Sequence, residues 1–207
     1  MKMLARYKYL GLLIFPLVIL FLSWLEADTR FSRDLSGFFP SDLLSKKERV
    51  LYFLGNEDKE NKLSQRQKKD LASAIVRSAQ RLPLPDGTLL GGFSPNIELF
   101  LYTWAKNRTN FSAFASKSNR IGILGLSPEK IKLLESKAGA TIDRNFDIYN
   151  FNIQYKIALI LYKELLSSGL NAKDAYYALF DIPSNSNDWE RLETFYAELH
   201  KKVIPEN

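Results

Sequence analysis

Few side chains in this sequence of 207 residues can do chemistry. It has no cysteine and one histidine, His200, which argues against thiolate nucleophiles, thiolate metal sites, disulfides and histidine-based triads. Acid-base work would fall to carboxylates, and Glu98, Glu129, Glu135 and Asp147 lie near the two stretches that carry the most pattern. The first stretch, "KNRTNF" at 106–111, closes an apolar run and presents Asn107 and Arg108. The second, "IGILGLSPEK" at 121–130, is a glycine-punctuated turn leading into a helix start. An arginine at the end of a buried helix suits pairing with an acid, with helix C-terminal carbonyls or with an anionic ligand. No phosphate-binding glycine loop and no metal-ligand spacing occurs, so neither cofactor nor metal is expected.

The elements that must position these residues read as helices. "PSDLLSKKERVLYFLG", 40–55, is a short amphipathic piece with Ser41 as N-cap and Gly55 as stop, and the charged "NEDKENK" after it reads as a linker or exposed loop. A helix starts at the Ser64 cap, with Leu71, Ile75, Val76 and Ala79 on one face, and ends before Pro83. "NIELFLYTWAKN", 96–107, is apolar on nearly every side, the mark of a central helix buried by its neighbours. Ser127 and Pro128 open a helix that Gly139 stops, and 150–169 forms a longer one closed by Gly169. "NAKDAYYALFD" at 171–181 precedes Pro183, and 187–203 places Trp189, Leu192, Tyr196, Leu199 and Val203 at helical spacing. Strand-like alternation is missing, so the main domain, 64–207, is expected to be mainly α with about six helices.

Before this domain, residues 9–25, "YLGLLIFPLVILFLSWL", carry no charge over a length that matches a bilayer core. Lys2, Arg6 and Lys8 in the preceding stub, 1–8, predict a cytoplasmic N-terminus, a signal anchor at 9–25 and an exported remainder. Residues 26–63 would then be a juxtamembrane helix and charged linker. A cleaved secretory signal is the competing reading, although Leu25 disfavours a small-x-small site at Ala27. The formal charge of +6 owes three units to that stub; subtracting its three bases from 29 leaves 26 against 23 acids. Nucleic acid is not an expected partner, because no basic stripe interleaved with aromatics appears.

Taken in order, the pieces over 64–182 resemble the soluble lytic transglycosylases, lysozyme-like enzymes that cut peptidoglycan. In that family a buried helix ends in Glu-Ser-x-Phe, followed by a Gly-Leu-Met-Gln turn and proline, an Asp-Pro-x-x-Asn-Ile segment and an Ala-Ala-Tyr-Asn run. Phe111 matches the phenylalanine, Gly122-Ile123-Leu124 the Gly-Leu-Met, Pro128 the proline, Asp147 the aspartate and Asn152-Ile153 the Asn-Ile pair. The resemblance implies a lysozyme-like helical domain and a glycan groove. Of the aromatics Phe93, Tyr102, Trp104, Phe114, Tyr149, Phe151, Tyr155, Tyr176 and Tyr177, it points first to Tyr149, Tyr155 and Tyr176, beside Gly122.

The departures fall where the chemistry should be. Arg108, or Asn107 if the turn is the anchor, stands at the catalytic glutamate; Gly125 replaces the glutamine, and Leu179 or Ala178 the tyrosine. Glycosidic cleavage needs a carboxylic acid that can protonate the leaving oxygen. Arginine stays protonated above about pH 12 and asparagine does not titrate, so neither replaces it. Glu98 lies ten residues before Arg108 on one helix, roughly 15 Å along the axis, and Glu129 suits a helix start. The expectation is therefore a bacterial inner-membrane protein with a periplasmic domain that is catalytically inactive and binds peptidoglycan or an envelope-assembly partner. The alternatives are an active lytic transglycosylase using Glu98 or Glu129, and an unrelated membrane-tethered helical interaction module.

Overall fold

The computed structural model describes residues 45–113, 120–138, 141–143 and 147–203. Leu44–Asn207 form one compact unit. Its described part is mainly α: α1 (Lys46–Glu57), α2 (Gln65–Ala79), α3 (Ile97–Thr109), α4 (Pro128–Ala138), α5 (Phe151–Ser167), α6 (Ala172–Leu179) and α7 (Asp188–Val203), with a 3₁₀ turn at Asp147–Tyr149. No β-strand occurs among the described residues, only two isolated bridges, Leu90 with Phe93 and Ile121 with Leu126. Among these residues no helix is long and apolar enough to cross a membrane, and the apolar run 9–25 lies outside them.

The centre of the unit is α3. Eight consecutive residues, Glu98 to Ala105, are buried, so this helix has no solvent face over two turns. α1, α2 and α7 pack around it, α2 leans on α5, and α5 carries α4 and α6. The outer helices behave as amphipathic elements: α2 buries Leu71, Ala72 and Ile75, and α7 buries Trp189, Leu192, Tyr196, Leu199 and Val203. Local chemistry sets the starts. Ser64 and Gln67 form a reciprocal capping box, while Asn96, Asn150 and Asn171 each accept a backbone N–H of the helix they open.

The first helix departs from the expectation. Ser45, with Glu48 three residues on, makes the capping box that starts α1, whereas Ser41 lies outside the described residues. Gly55 does not stop it; the helix runs on to Glu57 and a Cβ at Gly55 would meet nothing. Val50, Phe53 and Leu54 are core residues, so α1 belongs to the compact unit, whose boundary lies at residue 44 rather than 64.

The charged run after α1 is not simply solvated either. Asp58 is 3% exposed; it accepts the N–H groups of Lys62 (2.9 Å) and Leu63 (3.0 Å) and pairs with buried Lys68 of α2 at 3.2 Å. Burial alone would push the Asp58 carboxyl up, but the N–H groups of Leu63 and Lys62, then Lys68, outweigh it and hold it below its ordinary value. One carboxylate thus closes the α1–α2 corner.

A group whose folded pKa is depressed adds stability above its unfolded value, near pH 4, and loses it as pH falls through the folded value. Asp58→Asn should cost about 3 kcal/mol at neutral pH, because Lys68 is left buried without its counter-charge, and should flatten the loss of stability below about pH 4. Urea titrations of both proteins between neutral and acid pH measure this. Gly55→Ala should act oppositely and stabilise by roughly 0.5 to 1 kcal/mol, since the added methyl sits in open space on a helix interior.

Candidate functional site

The site is built at the C-terminal end of α3. Lys106 and Arg108 stand in its last turn, where cations favour the helix dipole. Beyond Thr109 the chain reverses through two left-handed residues, Asn110 (φ 48°) and Phe111 (φ 62°). Asparagine adopts this region readily; a phenylalanine there is strained by about 1 kcal/mol or more. Packing holds it in place. The Phe111 ring is fully buried 5.2 Å from Tyr102, with the Lys106 ammonium 5.3 Å from its centroid, and its N–H reaches the Ala105 carbonyl at 3.3 Å.

Arg108 and Asn107 converge on one acceptor, Asp188 at the start of α7. Arg108 Nη1 donates to Asp188 Oδ2 at 2.8 Å, with the two side chains only 10% and 13% exposed. Asn107 Nδ2 lies 3.0 Å from the Asp188 carbonyl, 3.3 Å from Oδ2 and 3.1 Å from the Tyr176 hydroxyl. Tyr176 in turn donates to Oδ2 at 3.4 Å, and Arg191 approaches Oδ1 at 3.5 Å. Burial pushes the Tyr176 phenol up, so it stays a donor to this carboxylate. The Arg108 guanidinium also lies over the Phe180 ring, 5.2 Å from its centroid, while its Nε is buried without a hydrogen-bond partner. Two helices and the end of a third are thereby tied through one carboxylate.

The glycine turn faces the same helix end. Ile121 and Leu126 exchange backbone hydrogen bonds of 2.9 and 3.1 Å, and Gly122 and Gly125 take positive φ between them. Thr109 Oγ1 donates to the Ile123 carbonyl at 2.6 Å, and fully buried Gln154 of α5 accepts the Leu124 N–H at 3.1 Å. A Cβ at Gly122 would stand 2.4 Å from the Gln154 amide, so this glycine is required by close packing as well as by its φ of 74°. Arg120, just before the turn, donates to the Phe180 (2.5 Å) and Asp181 (3.1 Å) carbonyls at the end of α6. Burial, then the nearby Arg108, lowers the affinity of Arg120 for its proton.

Several expected site residues lie elsewhere or do other work. Tyr155 is fully buried and donates to the Leu101 carbonyl at 2.9 Å; it is a core residue of α5 and presents no face to a glycan. Tyr176 is fully buried between Trp104, Phe180 and Trp189, so only its hydroxyl takes part in the site. Tyr149 is half-buried in the 3₁₀ turn, and Phe114 is outside the described residues. Glu98 sits in the first turn of α3, paired with Lys46 at 2.6 Å, at the opposite end of that helix from Arg108. Glu129 is exposed in the first turn of α4. Asp147 accepts the Asp143 N–H at 3.1 Å, and Asn150 rather than Asp147 caps α5.

Asp188 is the residue that sequence reasoning missed. It follows Asn187 at a helix start, where an acid is unremarkable, and nothing local signals a partner 80 positions away. The Asp188 Oδ2 takes Arg108, Asn107 and Tyr176, while Oδ1 meets Arg191 at 3.5 Å. Among the described residues no cluster of histidines and carboxylates could hold a metal ion.

The buried pair makes a measurable claim. Asp188→Ala should destabilise the fold by about 3 to 5 kcal/mol, because Arg108 would be left desolvated and uncompensated. Replacing both partners, Arg108→Met with Asp188→Leu, should cost clearly less than the sum of the single changes in a denaturation cycle.

Comparison of the chain with protein-family models, with curated proteins and with solved structures finds no match, so the role of this site has to be argued from its own geometry.

Proposed function

We propose that the chain is a membrane-anchored, lysozyme-like domain of the bacterial periplasm that has lost its acid and acts by binding, to peptidoglycan strands or to a partner in an envelope assembly. The observation that carries this reading is the occupation of the α3 terminus. At the position where the resembled enzymes place a glutamic acid, the chain has Asn107 and Arg108, both committed to Asp188. Support also comes from the order of parts around it: a fully buried helix, a left-handed reversal through Phe111, and a glycine turn fastened to Thr109 and to Gln154. The uncharged run 9–25 behind a basic stub supports the anchor and the outward orientation.

An active transglycosylase fits less well. Catalysis of this type asks one carboxyl to give and then take a proton, an exchange worth about 10²- to 10⁴-fold in rate. Glu98 is paired with Lys46 at the far end of α3, Glu129 faces solvent, and Asp188 is ion-paired with Arg108. A domain that binds without cutting needs no titrating carboxyl at this helix end.

Incubation of residues 44–207, the whole compact unit, with purified sacculi tests the reading. The expected outcome is cosedimentation with no release of anhydro-muropeptides. Release that is lost in Asp188→Asn or Glu129→Gln would overturn it in favour of an enzyme.

A further inference from the structure

Resting on the reading that this domain binds without cutting, we infer that the corner where Arg120 meets Arg108 at Phe180 is a binding site for an oxyanion, the carboxylate or phosphate group of a ligand. Phe180, just beyond α6, brings the two guanidinium groups together. Arg108 lies over its ring, 5.2 Å from the centroid, and Arg120 donates Nη1 to its carbonyl at 2.5 Å. Both cations have donor capacity that the protein leaves unmet. Arg120 donates only to two main-chain carbonyls, those of Phe180 and of Asp181 at 3.1 Å, and among the described residues it forms no ion pair with a carboxylate. Arg108 keeps its Nε buried without a hydrogen-bond partner in a side chain only 10% exposed, where an unmet donor is costly.

The acids nearby are already engaged. Asp188 receives Arg108 and Arg191, together with Asn107 and Tyr176. Asp181, whose carbonyl Arg120 holds, gives its carboxylate to the Ser127 hydroxyl at 2.8 Å and to Lys130 at 3.1 Å. Four cations, Arg108, Arg120, Arg191 and Lys130, thus stand around two carboxylates, and Arg120 is the one left with neutral acceptors. Burial, then the neighbouring Arg108, already weakens the hold of Arg120 on its proton, the consequence of like charges brought together out of water. An oxyanion supplies what a carbonyl lacks: a full negative charge, with two oxygens spaced to match the guanidinium fork. Access is from the Arg120 side, where the bond to the Asp181 carbonyl lies at the exposed surface.

The probes are inorganic phosphate and a short peptide with a free C-terminal carboxylate, its C-terminal amide serving as the blank. Each is titrated calorimetrically into the full-length chain in non-ionic detergent at constant ionic strength. Saturable binding of phosphate, of the free-acid peptide or of both is expected, and which of them binds tells a phosphate source from a peptide carboxylate. Arg120→Gln should weaken it about 10-fold, the loss that goes with one charge-assisted contact. Arg120 also fastens the end of α6, so circular dichroism checks that this variant melts as a folded protein. A second measurement needs no substitution: modification of Arg120 by phenylglyoxal in the unaltered chain, read by mass spectrometry, should slow several-fold at saturating anion, while exposed Arg66 of α2 reacts at an unchanged rate. Absence of saturable binding by either anion, indifference to Arg120→Gln, or no protection of Arg120 overturns the site, whether or not sacculi retain the chain. Anion binding by a chain that sacculi do not retain sustains the site and counts against peptidoglycan alone.

Discussion

The fold turns on how α3 ends. The all-round burial of α3 ends at Ala105, and the carbonyls of Ala105, Lys106 and Thr109 are taken by the N–H groups of Phe111, Asn110 and Ser112, so it is the half-buried last-turn side chains that tertiary partners have to receive. Here the partner is Asp188, brought from the start of α7 to meet Arg108 and Asn107. Its position at a helix N-terminus helps, because a carboxylate there is favoured by the helix it opens as well as by the arginine it meets. Pairs this deeply placed add little net stability over an apolar substitute, yet they punish mispairing heavily. The cluster thus acts mainly on register: α7 seated one turn away from its place on α3 would leave Arg108 desolvated with no acceptor.

The strained reversal after Thr109 follows from the same constraint. A helix that stops inside the domain must turn its chain sharply, and Asn110 and Phe111 do so in the left-handed region. Burial of the Phe111 ring against Tyr102 compensates for the unfavourable backbone, in the same way that Gly122 and Gly125 permit the following turn to approach Thr109 and Gln154. Gln154 contributes one acceptor to Leu124 and would collide with any side chain at Gly122. Glycine at 122 and glutamine at 154 are therefore one structural decision, distributed over α5 and the turn.

What was legible in the sequence divides along physical lines. Signals within one or two helical turns were readable: the capping serine at 64, the apolar stripe of α7, the all-round apolarity of α3, and the stop at Gly169, which takes φ 93°. Signals that depend on burial were not. Asp58 sits in a run of charges that composition alone assigns to water, and only the fold shows that Lys68 and two amides enclose it. Gly55 looks like punctuation, but packing of Val50, Phe53 and Leu54 carries α1 past it. Tyr155 has the composition of a ligand-stacking residue and the location of a core residue, a difference no periodicity in α5 records. At the site, Arg108 and Asn107 were identifiable by type, whereas their acceptor was not, since proximity between 108 and 188 is created by the packing of α3 against α7.

On the proposed reading, arginine at the end of α3 changes more than the identity of one side chain. A catalytic carboxyl earns its place by being poised between two protonation states, which requires burial without a strong cation beside it. Arg108 imposes the reverse condition: a permanent positive charge that needs a permanently available acceptor, met by Asp188. Once that pair forms, Asn107 and Tyr176 add two further donors to the same carboxylate oxygen. On the proposed reading, this helix end serves recognition rather than proton transfer.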